Sequence, residues 1–599
     1  MIWIDWAIVV AYLVFTLGLG LYLSRQAAGS LVDFFVSGRS LPWWLAGTSM
    51  AATTFSIDTP LYVAGVVGTR GIAGNWEWWS FGIAHVVMIY VFARLWRRSE
   101  VITDAELTEL RYGGAAAAWL RGIKAFLFAV PINCIGIGYA MLAMVKVIDA
   151  LEIWPSLGVV NGGENLKLFS VIGVSLLVLA YAGFSGLWGV VTTDFFQFFL
   201  ALLGAVVVAV VAVVNLGGMA SLIDQVEAVG GTDLLTFVPL EKAPGGWYRW
   251  SETAGISVGT FLAYVSLQWW TFRRSDGGGE FIQRLVASKT EAEAEKAAWF
   301  FNILHYVVRT WPWVIVALAA VVIYPDLEDR ELGYPKLMLD FLPPVLLGLV
   351  VASLMAAFMS TVSTLINWGA SYLTNDLYGR FLRPTATQAE LVLSGRIASV
   401  VVTGLGAIAA FYSQDVTTVF RLVIAIGTGP GLVLILRWFW WRINAAAELA
   451  AMVAGFIVGL ITSVVPLLTI DDFGLRLLTT TAITTVVWVT AMVLTPPETD
   501  QTLDAFYRLV RPGGPGWSRQ RQRTGVWPAQ SLGQDLLKTL AAMLLLLGAM
   551  LSTGGFLLYQ PLTGWVWLMV AVAGWVGLRK LGKTVLPMPR PGLDDPPSH

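Results

Sequence analysis

Ser360, Thr361, Ser363 and Thr364 fall close together in the apolar stretch Met355–Tyr378, which reads MAAFMSTVSTLINWGASYLTNDLY. Lipid offers a hydroxyl no partner, whereas a cation such as Na+ takes several neutral or anionic oxygens in a small cage. The run therefore reads as one wall of an ion site. For any one hydroxyl, a hydrogen bond to the backbone a turn earlier or helix packing is the better explanation. The cluster is what points to an ion.

The elements that position these groups are membrane helices. Hydrophobic residues make up 57% of 599 residues and charged residues only 13%, with apolar stretches of span length recurring along the chain. That is the composition of an all-α polytopic membrane protein embedded in a lipid bilayer. A net charge of −1 gives no reason to expect nucleic acid. The single Cys134 excludes an intramolecular disulfide, and three histidines without metal-ligand spacing argue against zinc or haem.

A length criterion of about twenty apolar residues predicts about 15 transmembrane helices. Basic residues fall in alternate loops, among them Arg97 and Arg98, Arg273, Arg274 and Arg284, and Arg508 to Arg523. Those loops are expected in the cytoplasm, which places the N-terminus outside and the C-terminus inside a cell (inner) membrane. The first stretch lacks a basic leader and is read as a retained helix.

Two spans are expected to be broken. Ala51–Pro60 reads AATTFSIDTP and puts Pro60 in mid-membrane, where the lost amide and the ring clash interrupt a helix. Five spans later, Gln268, Trp269 and Trp270 run into Asp276 and Gly277–Gly279. The odd offset makes the broken spans antiparallel, the pattern of an inverted repeat with its binding site between the broken elements. At about 1.5 Å per residue, Ala52 and Phe55, Ser360–Thr364 and Asp194 all lie in one layer of the inner half of the bilayer.

Several motifs carry a family resemblance over residues 1 to 495: DFFVSGRSLPWW at Asp33–Trp44, GLWGVVTTDFFQ at Gly186–Gln197, EFIQRLVASKTEAEA at Glu280–Ala294, AAFMSTVST at Ala356–Thr364 and RWFWWRIN at Arg437–Asn444. By these the chain resembles the sodium:solute symporter family. The resemblance implies a LeuT-like bundle of five plus five inverted helices, here with extra N- and C-terminal spans, and Na+-coupled symport of a small organic solute such as an amino acid, a sugar or a carboxylate. It implies a main Na+ site from the carbonyls of Ala52, Phe55 and Ala357 and the hydroxyls of Ser360 and Thr361. Members with a second Na+ site imply Asp194, Ser360, Ser363 and Thr364 for it. The domain reading is a transporter core at 1–495, a cytoplasmic Arg/Gly/Pro-rich loop at 496–535, expected to face anionic lipid, and two further helices at 536–599.

Candidates for the solute site are Ser56, Asp58 and Thr59 on the first broken span, Gln268, Trp269 and Trp270 at the second, and Asn302, His305 and Arg309, which share one helical face. Arg309 reads either as a fork for a solute carboxylate or as a buried partner of Asp58, Asp194 or Asp376. Arg421 reads as an outer-gate or snorkelling residue. Trp76, Trp78 and Trp79 around Glu77 read as headgroup anchors, with an aromatic lid as the alternative. No nucleophile and base are paired anywhere, so the chain does not read as an enzyme. A membrane-embedded solute sensor on the same fold would need a signalling domain that the hydrophobic C-terminus does not resemble.

Overall fold

A computed structural model of the chain describes residues 1–23, 30–156, 165–243, 245–251 and 255–583. It is a helical bundle; the one strand pair among the described residues is a short antiparallel ladder, Leu240–Lys242 against Tyr248–Trp250. Ten described helices are long and apolar enough to cross a bilayer, or eleven if the bent pair Ile72–Trp79 and Phe81–Ser99 is one span. The sequence expectation of about 15 is not established by helix length. The shortfall has a physical cause, because three of the expected spans are cut into short halves and Leu166–Leu179 is itself short.

The first cut separates Trp43–Thr53 from Asp58–Arg70. Pro60 does not sit in the gap; it occupies the first turn of the second half, where its missing amide costs no helical bond. The gap is closed by tight turns, with Phe55 N donating to Ala52 O at 2.9 Å and Thr59 N to Ser56 O at 3.1 Å.

The second cut lies at 272–278, between a helix over 258–271 and the buried helix Gly279–Ala287. Gly277 and Gly278 turn the chain there at φ 135° and 77°, backbone open to glycine and costly to any other residue. This corrects the reading of 273–284 as a cytoplasmic loop. Arg273 and Arg284 are buried within the bundle, and Arg274 pairs with Glu280 across the gap.

A third cut, at 428–430 between Val416–Gly427 and Gly431–Phe439, was not expected, since 416–442 reads as one continuous span. Gly429 holds φ 122° there. The second and third cuts are stitched to each other: Arg273 N donates to Gly427 O at 2.8 Å and Gly429 N to Thr271 O at 2.9 Å. Each satisfies backbone groups that the other leaves free, as unwound chain in a bilayer requires.

The helix that carries the hydroxyl cluster, Leu346–Leu382, is the most enclosed of the long spans, and it packs on Gly186–Asn215, which holds Asp194. The last two helices, Leu532–Leu557 and Pro561–Lys583, pair with each other and dock on the core, where Trp311 Nε1 donates to Met550 O at 2.9 Å. The preceding segment is also folded against the core: Trp517 is buried and donates to Trp438 O at 2.7 Å. Arg519 and Arg523 pair with Asp500 inside that same segment, so some of the charge expected to face lipid is met locally.

Candidate functional site

The hydroxyl cluster meets the end of the Trp43–Thr53 helix. Thr361 Oγ1 donates to Thr53 O at 2.9 Å, and the hydroxyls of Thr53 and Thr364 lie 3.2 Å apart. Ser360 turns to the other side and donates to Asp194 Oδ1 at 2.6 Å. Ser363 returns its hydroxyl to Ser360 O at 3.1 Å, the local bond open to any serine in a membrane helix. The first cut, the Ser360 helix and Asp194 therefore converge, and all these side chains are buried. Non-helical backbone beside two hydroxyls supplies neutral oxygens of the kind a hard monovalent cation takes. Among the described residues no cluster of three or more His, Cys, Asp or Glu forms a metal site of another type.

Asp194 stands at the centre of a polar knot. Ser49 Oγ donates to its Oδ2 at 2.5 Å, and the Arg284 guanidinium lies 3.7 Å from the same oxygen. Arg284 also donates to Thr364 Oγ1 at 2.7 Å and to Ser49 Oγ at 3.1 Å. The sequence contained Arg284 inside a conspicuous motif, yet nothing local tied it to Asp194.

Beside the knot lies a cavity of about 130 Å³. One wall comes from the first cut and the helix after it: Thr53, Thr54, Ser56, Asp58, Thr59 and Tyr62. The opposite walls carry aromatic rings, among them Trp78, Phe81, Tyr139 and Phe420, and the charged pair Arg274 and Glu280. His305, Tyr306 and Arg309 close one side. His305 and Tyr306 belong to a π-helical turn, Ile303–Val308, which Arg309 caps, its N reaching back to Leu304 O at 3.2 Å. Pro312, a few residues on, has no amide to continue the regular ladder. Wide turns of this kind re-aim side chains at functional places.

Of the candidates for the solute site, Ser56, Asp58, Thr59, His305 and Arg309 line the cavity. Gln268, Trp269, Trp270 and Asn302 do not. Gln268 is buried with its amide on Glu77 O at 2.6 Å, and Asn302 donates to His85 O at 3.0 Å and Ala298 O at 2.9 Å. The anchor reading of the tryptophans is corrected: Trp76, Trp78 and Trp79 are buried in the bundle, and Trp78 belongs to the cavity wall.

Arg309 has no carboxylate within 4.0 Å among the described residues; of the three expected partners only Asp58 acts on it, across the cavity and without contact. Asp194 is beside Arg284, and Asp376 pairs with Arg121 at 2.7 Å. Its guanidinium donates to Ala51 O at 2.9 Å and to His305, and it packs over the rings of Phe55 and Trp313. It thereby balances the exposed carbonyl end of the Trp43–Thr53 half-helix, the negative end of that helix's dipole. Arg421 forms a bidentate pair with Glu77 at 2.8 and 2.9 Å, and Arg70 binds the same carboxylate at 2.9 Å. Glu77, like Arg274, Glu280 and Tyr139, was not among the expected site residues.

A model of the sodium:solute symporter family matches residues 34–455. The sodium/glucose cotransporter of Vibrio parahaemolyticus is 26% identical over 504 residues, covering 78% of this chain and 86% of that protein. Sodium/glucose cotransporter 4 of Danio rerio is 24% identical over 506 residues, covering 76% of this chain and 71% of that protein. Among solved structures, a Na+-coupled sialic acid symporter in a substrate-bound outward-open state matches with TM-score 0.63 and 20% identity, over 83% of this chain and 99% of that one. That last likeness concerns the fold, a LeuT-like bundle of membrane helices.

Proposed function

This chain belongs to the sodium:solute symporter family, and we propose that its coupling Na+ binds where the Trp43–Thr53 helix ends against the Ser360 helix. The protein carries out Na+-coupled symport of a small solute as a multi-pass membrane protein, and its family is one of transporters. The assigned ligands are the carbonyls of Ala52, Phe55 and Ala357 with the hydroxyls of Ser360 and Thr361. The observation that carries this is the 2.9 Å contact from Thr361 Oγ1 to Thr53 O, which sets a hydroxyl directly on the unwound end of the helix.

The coupling follows from position. Thr53, Thr54 and Thr361 border both this point and the cavity. Na+ held there fixes the first cut in one shape, and the solute then meets Ser56, Asp58 and Thr59 already arranged. Each ligand raises the other's affinity by the same factor, which is the thermodynamic content of symport. A second Na+ at Asp194, Ser360, Ser363 and Thr364 would share its carboxylate with Arg284, whose charge weakens cation binding there; we assign it lower affinity. Apart from 273–284, the loops rich in Arg are assigned to the cytoplasm, with the N-terminus outside and the protein in the cell membrane.

The test needs no knowledge of the solute. Na+ is expected to raise the Tm of the purified protein relative to K+, because a ligand bound only to the folded state stabilises it. Thr361→Ala is expected to raise the Na+ concentration at half-maximal shift about tenfold, the equivalent of about 1.4 kcal/mol. An unchanged midpoint in a folded Thr361→Ala protein sinks the assignment.

A further inference from the structure

Most carboxylates buried in this bundle come with cations, and Asp5 instead accepts from backbone amides, Val345 N at 2.8 Å and Gly348 N at 3.1 Å. Glu77 has Arg421 at 2.8 Å, Asp276 has Arg437 at 2.7 Å, Glu448 has Arg437 at 2.9 Å, Asp376 has Arg121 at 2.7 Å, Asp194 has Arg284 at 3.7 Å and Glu280 has Arg274. Asp58 fits neither case. It is 7% exposed, lines the central cavity, and has no Arg, Lys or His nitrogen within 4.0 Å among the described residues. Its Oδ1 makes no hydrogen bond at all. Arg309 acts on it only from beyond contact distance, and a buried carboxylate with no cation in contact is a costly state that calls for an explanation.

From this we propose that the transported solute itself supplies the missing contact: it carries an ammonium group that binds Asp58. The inference deepens the symporter reading and rests on it. The surroundings of Asp58 fit a cation. Tyr62 lies one helical turn beyond it, with its ring 4.9 Å from that of Phe420, and Tyr139 stands 6.3 Å from Phe420 on the same side. Aromatic faces attract cations, most strongly where water is excluded.

Arg274 gives the solute's other end a place. It projects from the second cut into the cavity, its charge engages Glu280, and its Nε has no partner. A carboxylate there would complete the recognition of a zwitterion of the amino-acid type.

Size points the same way. An apolar cavity of about 150 Å³ takes up benzene, so about 130 Å³ is room for a solute of roughly six heavy atoms. A hexose is uncharged and would bring no cation to Asp58.

The experiment is thermal unfolding of the purified full chain in Na+ or in K+, with L-alanine, L-proline, glycine betaine, D-glucose or L-lactate. At least one ammonium compound is expected to raise Tm in Na+ and not in K+, while glucose and lactate do neither. In Asp58→Asn that shift is lost, and a persisting shift with Na+ alone shows the variant is folded. If Asp58→Asn does not fold, Asp58→Glu keeps the charge and is expected to keep the ammonium response.

A Na+-dependent shift with glucose or lactate that survives Asp58→Asn overturns the proposal and leaves the symporter reading standing. So does a normal Na+ response with no shift from any ammonium compound. Absence of any Na+ response in the unmutated protein takes down both.

Discussion

Two ionic clusters close the bundle at opposite ends of the Phe81–Ser99 helix, and they are built differently. Glu77, just before that helix, is one buried carboxylate held by two arginines that keep a quarter or a fifth of their side chains exposed, Arg421 at 25% and Arg70 at 20%. Beyond the other end, Glu448 joins Lys124 at 3.1 Å and Arg437 at 2.9 Å, and Lys124 and Arg437 also reach Asp104 and Asp276. Every side chain in that second cluster is at most 5% exposed. Tyr112 adds a hydrogen bond to Glu448 at 2.9 Å.

The difference is one of reversibility. Cations with access to water can let go of a carboxylate at modest cost, because water replaces the lost partner. Cations sealed among carboxylates cannot separate pair by pair without leaving a bare buried charge. Both clusters adjoin the cavity in sequence, through Trp78 and Phe420 at one end and Arg274 at the other. The Glu77 cluster has the construction of a latch that opens in ordinary thermal motion. The Glu448 cluster has that of a joint that moves only as a unit with the second and third cuts.

The largest effect is expected from Glu448→Gln, which strands Arg437 and Lys124 with one carboxylate fewer. A loss of about 3–5 kcal/mol is expected, seen as a fall in Tm and in the yield of monodisperse protein. Glu77→Gln frees arginines that can reach water and is expected to cost about 1–2 kcal/mol on the same scale. Equal losses in the two variants break the comparison.

A middle-sized effect concerns access. Cys134 is the only cysteine and is buried, so Thr59→Cys gives a clean reporter in the cavity. Adding Arg421→Gln is expected to speed its reaction with a water-soluble thiol reagent about tenfold, as about 1.4 kcal/mol is lost from the closed state. A rate that stays the same shows that the Glu77 cluster does not guard the cavity.

The smallest effect is that of ionic strength. Raising KCl about tenfold is expected to speed labelling of the same reporter by no more than about twofold in the parent background, because the arginines of the Glu77 cluster are partly screened. In the Arg421→Gln background the salt effect is expected to shrink further. A large salt effect that persists there moves the responsive charges elsewhere.

Much of this was legible in the residues because it is local. A run of Ser and Thr in an apolar stretch, or Pro60 in mid-span, announces itself within one or two helical turns. The expected layer shared by Ala52, Asp194 and Ser360–Thr364 follows from rise per residue alone, and the bonds Ser360–Asp194 and Thr361–Thr53 bring those positions together. The arginines of 273–284 were misread for a physical reason. Hydropathy scores Arg as if it faced lipid, whereas Arg284 finds Asp194, Ser49 and Thr364 far away in the chain.

By itself the sequence determined the class, the family, the first broken span and the hydroxyl wall, because composition, span length and motif spacing are properties of neighbouring residues. Only the tertiary structure decided which charges are paired in contact and which are not. The pairing of Arg437 with Asp276, the stitching of Thr271 to Gly429 and the lack of a cation in contact with Asp58 depend on how segments remote in sequence come together. A buried charge is compensated or bare only by what folding brings beside it, and no local pattern of residues carries that information.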